Sequence, residues 1–211
     1  MLTMNYSSKQ LAELEFWKKE KERYKEWFDG ERWLHGVPPF KGNQSDYQSP
    51  EHAWVKLFQE PHYLRCLDIP DNSFDGKTVL EIGCGPVSGA SVFRGAAVTG
   101  VDPLIPAYRE LGFDVSGVHE CAHEMMFPKL CFDAVIAVNA IDHVDRFRDS
   151  AFEIIRVLKD NGLFAMNVHY HKPTVCEPIE LNDKIFFNAF RWIKGLEKKK
   201  QVGDKAIWRN F

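Results

Sequence analysis

Thr78-Val79-Leu80-Glu81-Ile82-Gly83-Cys84-Gly85-Pro86-Val87-Ser88-Gly89 decides the fold. A short apolar run, an acid, and then glycines at alternate positions describe a strand that turns sharply beneath a ligand. Glycine tolerates positive φ there and lets a ligand approach the backbone without meeting a Cβ. Gly83 and Gly85 suit those roles, and Gly89 falls where a following helix packs closely on the strand. Downstream, Ala97-Val98-Thr99-Gly100-Val101 reads as a second buried strand and ends in Asp102. A carboxylate at the tip of that strand is placed to accept hydrogen bonds from both hydroxyls of a ribose. The pair points to a ligand that contains a nucleoside.

The spacing narrows the ligand. A nicotinamide dinucleotide site calls for G-x-G-x-x-G, whose backbone amides hold a pyrophosphate. Here the third glycine is one residue late and Pro86, without an N–H, stands inside the loop. Glu81, two residues before the first glycine, repels a pyrophosphate and suits a cationic end such as an amino-acid ammonium. A nucleoside joined to a cationic amino acid is S-adenosylmethionine.

On these residues the chain resembles a class I S-adenosylmethionine-dependent methyltransferase of the small-molecule type, from about Gly76 to the C-terminus. The resemblance is carried by TVLEIGCGPVSG (78–89), VTGVD (98–102), CFDAVIAVNAIDHV (131–144) and AFEIIRVLKDNGLFAMNV (151–168), in the family's order. Val87 departs from it, where the family often has a third glycine. The resemblance implies an α/β, Rossmann-like, seven-stranded mixed sheet flanked by helices, with an N-terminal helical cap. It implies a methyltransferase that moves a methyl group from S-adenosylmethionine to oxygen or nitrogen of a small molecule, a sugar or other specialised metabolite by general analogy. A non-catalytic binding module or partner subunit is the alternative. The cofactor contacts it implies are Glu81, Gly83, Cys84, Gly85 and Asp102, with His123, Glu124, Met125 and Asn139 further along.

Composition agrees with one domain carrying an extension. The 211 residues hold a 45% apolar share, ordinary for a globular protein. Net charge is −3, which gives no long-range attraction for nucleic acid. Cys66, Cys84, Cys121, Cys131 and Cys176 are scattered, odd in number and without a C-x-x-C pair, as reduced cytoplasmic thiols are. The start, Met1 to Ser8, is too polar for a signal peptide, and no apolar run reaches membrane-spanning length. Expected partners are a small-molecule acceptor, with no nucleic acid and no membrane.

Residues 1–75 form the expected helical cap or lid, and 76–211 the cofactor-binding domain. Ser8 to Phe28 reads as an amphipathic helix with Leu11, Leu14, Trp17, Tyr24 and Phe28 on one stripe, ended by Asp29-Gly30. Ser49-Pro50-Glu51 reads as the start of a second helix, running to about Glu60 or beyond. The aromatic stripe either closes the site as a lid or simply packs. From Lys77 onward, strands are expected at 77–82, 97–101, 113–116, 132–138 and 162–169, and helices at 86–94, 104–111 and 145–159. This alternation implies a parallel sheet with right-handed crossovers. A helix over 181–189 and two strands over 190–198 and 205–210 close the chain as an antiparallel hairpin.

Methyl transfer from a sulfonium is an in-line displacement, so catalysis is largely positioning. Asp142 and His143 follow the strand over 132–138 and project towards the reacting end. His169 and His171 close the strand over 162–169 and share a face by alternation. Imidazole titrates near neutrality, as a base for a hydroxyl or amine must. Asp142, His143, His169 and His171 are therefore the catalytic candidates. Histidines and an acid together also suit a metal, but the expected site is metal-free. The absence of an Asn/Asp-Pro-Pro-aromatic motif at Asn139 to Val144 argues against methylation of nucleic-acid bases.

Overall fold

The computed structural model describes residues 6–211. The first five residues of the polar start, read above against a signal peptide, lie outside the described residues.

Helix α1, Ser8–Phe28, begins in a capping box: the Ser7 side chain accepts from Gln10 N, and the Gln10 side chain accepts from Ser7 N. It ends where Gly30 takes φ 82°, a conformation open to glycine. The buried stripe differs from the expected one. Tyr24, Trp27 and Phe28 are buried, whereas Leu11 is 54% exposed. Trp27 joins the stripe because the Val37–Phe40 loop folds back on it, with Trp27 Nε1 donating to Pro38 O. Helix α2, Pro50–Trp54, starts at an Ser49 cap and continues through a π turn, Val55–Gln59, into α3, Glu60–Leu67.

Six strands follow among the described residues: β1 Thr78–Ile82, β2 Ala97–Val101, β3 Phe132–Val138, β4 Leu158–His169, β5 Glu197–Val202 and β6 Lys205–Arg209. Helices α4 Ile105–Glu110, α5 Phe147–Val157 and α6 Asp183–Phe190 complete the regular elements. The sheet order is β2-β1-β3-β4-β6-β5. The first four strands run parallel, and β6 pairs antiparallel with both β4 and β5. This mixed sheet, with its closing hairpin, is the arrangement the resemblance implies. The carboxyl ends of β1, β2, β3 and β4 therefore share one edge, where open α/β sheets bind ligands.

Three expectations about elements need correction. The strand expected at 113–116, one of the seven, does not form, and that segment contributes only an isolated bridge just beyond it, between Val118 and Val101. The chain there passes so close to its neighbours that a Cβ on Gly117 would meet Ile105 Cδ1 at 2.8 Å. The helix expected at 86–94 is only a 3-10 turn, Ala90–Val92. Ser88 is held back by Glu81, and a Cβ on Gly89 would lie 2.5 Å from Gln59 O. The close approach at Gly89 serves the π turn rather than a helix of its own. The strand expected at 190–198 begins later, at Glu197, because Gly195 turns at φ 76°.

The core has three parts. The largest lies between the sheet and the α5–α6 side, built on Val135, Phe164, Met166, Phe186 and Trp208. A second joins Tyr63 and Leu67 of α3 to Phe74, Val79 and Ile136. The third ties Tyr24, Trp27 and Trp54 to Cys84, Leu104, Ile105 and Tyr108. Burying one such aromatic or aliphatic side chain is worth ~1.5–3 kcal/mol, so the N-terminal segment is anchored on the glycine loop itself. No helix among the described residues is long and apolar enough to cross a membrane.

Candidate functional site

A cavity of about 530 Å³ opens at the carboxyl edge of the parallel strands. That lies within the ~300–1,000 Å³ of sites that enclose a small organic ligand. Its floor is the loop after β1. Gly83 and Gly85 both take positive φ, 66° and 56°. A Cβ on Gly83 would sit 2.5 Å from Ala140 Cβ, so the crossing of the loop over the β3 end requires glycine. A Cβ on Gly85 would meet nothing nearer than Trp17 Cζ2 at 3.8 Å, so it would project into free space.

Asp102 stands at the end of β2, on the cavity wall, only 6% exposed. Its Oδ1 accepts from Leu104 N at 2.8 Å and its Oδ2 from Gly85 N at 3.1 Å. Each oxygen keeps a second lone pair for a ligand. Burial pushes the carboxyl up to about 7, outweighing the two amides that favour its charged form. Cys84, His123 and Asn139 also border the cavity. Asn139 holds φ 51°, left-handed for a residue with a Cβ, at the turn out of β3.

Three expected cofactor contacts lie elsewhere. Glu81 is buried on the opposite side of the loop, where it accepts from Tyr63 Oη at 2.6 Å and from Ser88 Oγ. Burial raises its carboxyl above the ordinary range. It fixes the loop from behind instead of lining the cavity, because α3 brings a tyrosine to it. Glu124 is exposed to solvent. Met125 is core, 5% exposed, its backbone N–H donating to Glu153 Oε2 at 2.9 Å. The turn from Cys121 to Glu124 sets Cys121, Ala122 and His123 against the cavity and swings Glu124 away.

Of the four catalytic candidates, only His169 stands apart from the others. His143 lines the cavity, 3.5 Å from Glu177 Oε1, an ion-pair distance without hydrogen-bond geometry. Asp142 is fully buried behind it, Oδ2 facing His171 Nε2 at 3.1 Å. His171 lies beyond the end of β4, so strand alternation does not govern it. His169 is half-buried beside Lys205 and outside the cavity wall, and burial lowers its imidazole below the ordinary value.

Glu177, which the sequence offers beyond Pro173 without placing it, arrives from the loop after β4. Several other cavity residues escaped the sequence reading. His62 and Tyr63 come from α3, and Lys9, Glu13 and Trp17 from α1. The aromatic stripe was the one signal for α1. Lys9 Nζ donates to His143 O and pairs with Asp145 Oδ1 at 2.8 Å, and Tyr108 Oη donates to Glu13 Oε1 at 3.2 Å. The helix thus borders the cavity and is fastened to α4 and to the loop after β3.

Known proteins resemble this arrangement. Residues 80–166 match the family model described as methyltransferase domain. Over 104 residues the chain is 34% identical to the sterol 24-C-methyltransferase ERG6A of Gibberella zeae, covering 44% of this chain and 27% of that protein. It is 29% identical over 152 residues to the fatty-acid O-methyltransferase of Mycolicibacterium smegmatis, covering 64% and 55%. The chain thus spans about half or less of the length of these curated relatives. In a solved complex of the Haloferax volcanii Trm112 methyltransferase activator with the putative methyltransferase, one chain superposes with a TM-score of 0.53. The identity is 19%, and 72% of this chain and 79% of that one are covered.

Proposed function

We propose that this chain, a class I methyltransferase by fold and by the domain it carries, methylates a small-molecule acceptor at oxygen or nitrogen from S-adenosylmethionine. The single observation that carries this reading is the position of Asp102. A buried carboxylate with free lone pairs faces a cavity beside two positive-φ glycines. The residues suit the cofactor. Asp102 holds the ribose hydroxyls, the bare backbone at Gly83 and Gly85 admits the methionine portion, and Cys121 to His123 border the adenine side. When bound, S-adenosylmethionine supplies an electrophilic methyl group on a sulfonium.

The chain's own part is positioning. Helix α1 excludes water through Phe16 and Trp17. His143 and Glu177 border the same cavity, where they orient the acceptor. The cavity wall mixes polar groups with Phe16, Trp17 and Val144. That mixture favours an acceptor with an apolar body and one hydroxyl or amine over a bare sugar, and the relatives named for a sterol and a fatty acid support the same reading.

Calorimetry with S-adenosylhomocysteine tests it. Saturable binding by the parent chain and its loss in Asp102→Ala are the expected results. Silence from the parent chain would overturn the cofactor site. Release of S-adenosylhomocysteine in the presence of lipid-like alcohols, acids and amines then identifies the acceptor class.

A further inference from the structure

Four metal-ligating side chains converge at the acceptor end, from two loops. Asp142 and His143 follow β3, and His171 and Glu177 both lie on the loop between β4 and α6. Ligand atoms of Asp142, His143 and Glu177 all lie within 4.8 Å of one another. His171 Nε2 is 3.1 Å from Asp142 Oδ2 and 3.7 Å from Glu177 Oε2. His143 Nε2 is 3.5 Å from Glu177 Oε1. Metal bonds of ~2.0–2.2 Å in a tetrahedral site set neighbouring ligands ~3.3–3.6 Å apart. The measured separations straddle that edge length.

Two of these groups are otherwise unexplained. Asp142 is fully buried, and its Oδ1 has no hydrogen-bond partner among the described residues. His143 Nε2 is likewise buried without one. Leaving such groups unpaired costs ~1–3 kcal/mol each, more for a charge. The tautomer of His171 is set as well. Its Nδ1 lies 2.7 Å from Lys172 O, a pure acceptor, so Nδ1 carries the proton. A histidine ligand is held in this manner by a backbone carbonyl, with Nε2 turned to the ion. An imidazolium at His171 would satisfy Asp142 Oδ2 alone. One cation in the middle would satisfy all four groups.

We propose that Asp142, His143, His171 and Glu177 bind one divalent transition-metal ion at the acceptor end of the cavity. Two imidazoles with two carboxylates suit Zn²⁺, Fe²⁺ or Mn²⁺ and disfavour Mg²⁺ and Ca²⁺, which prefer oxygen alone. His143 and Glu177 border the cavity, so the ion is reached from the acceptor side. Its use as a Lewis acid on an acceptor oxygen rests on the methyltransferase reading, but the site itself does not.

The full chain, stripped with chelator, is titrated calorimetrically with Zn²⁺ and with Mg²⁺, and its visible spectrum is recorded with Co²⁺. One Zn²⁺ per chain, the absorption bands of low-coordinate Co²⁺, and much weaker Mg²⁺ binding are expected. Asp142→Asn, in the core, risks misfolding, so His143→Gln and Glu177→Gln on the loops are the working variants, their folding checked by circular dichroism. Each should weaken Zn²⁺ at least about tenfold, the lower end of what even outer-shell changes produce. No Zn²⁺ heat with no Co²⁺ bands, undiminished Zn²⁺ binding in both variants, or Mg²⁺ binding as tight as Zn²⁺ overturns the site. S-adenosylhomocysteine titrated in parallel separates the two proposals. Zn²⁺ binding without it leaves the metal site standing and removes the cofactor reading. The reverse result removes the metal site alone.

Discussion

The two ends of the cavity are built on different principles. At the ribose end, Asp102 and the glycine loop come from consecutive strands, and each oxygen of the carboxylate already holds a backbone amide. At the acceptor end, Asp142, His143, His171 and Glu177 come from two loops, and two of their polar atoms lack a partner among the described residues. One end is finished before any ligand arrives. The other is shaped around a charge that the polypeptide does not itself supply. Buried polar groups are ordinarily hydrogen-bonded, so the orphaned atoms at the second end call for a partner.

The contrast can be broken at several points. The largest effect is expected at the ribose end. Asp102→Ala removes two hydrogen bonds to a charged acceptor, each worth ~1.5–3 kcal/mol, so S-adenosylhomocysteine affinity should fall by more than about a hundredfold in calorimetry. An equal loss from His143→Gln would erase the division between the ends. Gly83→Ala should destabilise the fold by ~2–4 kcal/mol, since the new Cβ meets Ala140 and the backbone is left-handed. A thermal melt within error of the parent would show that the loop can relax.

The pH dependence sharpens the same contrast. Burial pushes the Asp102 carboxyl up to about 7 in the free protein, and in the proposed site its charged form holds the ribose hydroxyls. Binding therefore releases a proton below that pH. The affinity for S-adenosylhomocysteine should weaken ~10-fold per pH unit as pH falls from about 7 towards 5, and level off above 7. The slope should vanish in Asp102→Asn. The sign is opposite for folding. A carboxyl raised above its unfolded value of 3.8 destabilises the native state increasingly as pH rises from there to about 7, so the unliganded protein gains stability from this group on mild acidification. The smallest change is expected behind the loop. Tyr63→Phe leaves Glu81 with Ser88 as its remaining side-chain donor and should cost ~1–3 kcal/mol of stability in denaturant melts.

Much of this molecule was legible in its sequence. Helix α1 matched from Ser8 to Phe28, and β3 from Phe132 to Val138, because capping residues and apolar periodicity are local signals. The cavity floor was legible for the same reason. Gly83, Gly85 and Asp102 act through backbone conformation and strand termini, both encoded within a few residues. Glu81 shows where local reading stops. Its type and spacing suited a cofactor contact, but Tyr63, brought from outside the motif by α3, claimed it. Met125 and Glu124 were exchanged for Cys121 and Ala122 by one tight turn, which spacing does not specify to the residue.

The chain order of strands, helices and glycines determined by itself that this is a mixed α/β sheet with a glycine turn and an acid at its carboxyl edge, since those signals arise from neighbours in sequence. Only the tertiary structure decided that α1 borders the cavity, that Glu81 braces the loop from behind, and that Glu177 meets His143 and His171. Contacts of that kind depend on crossing geometry between segments far apart in the chain, and no periodicity or motif records where two loops will meet.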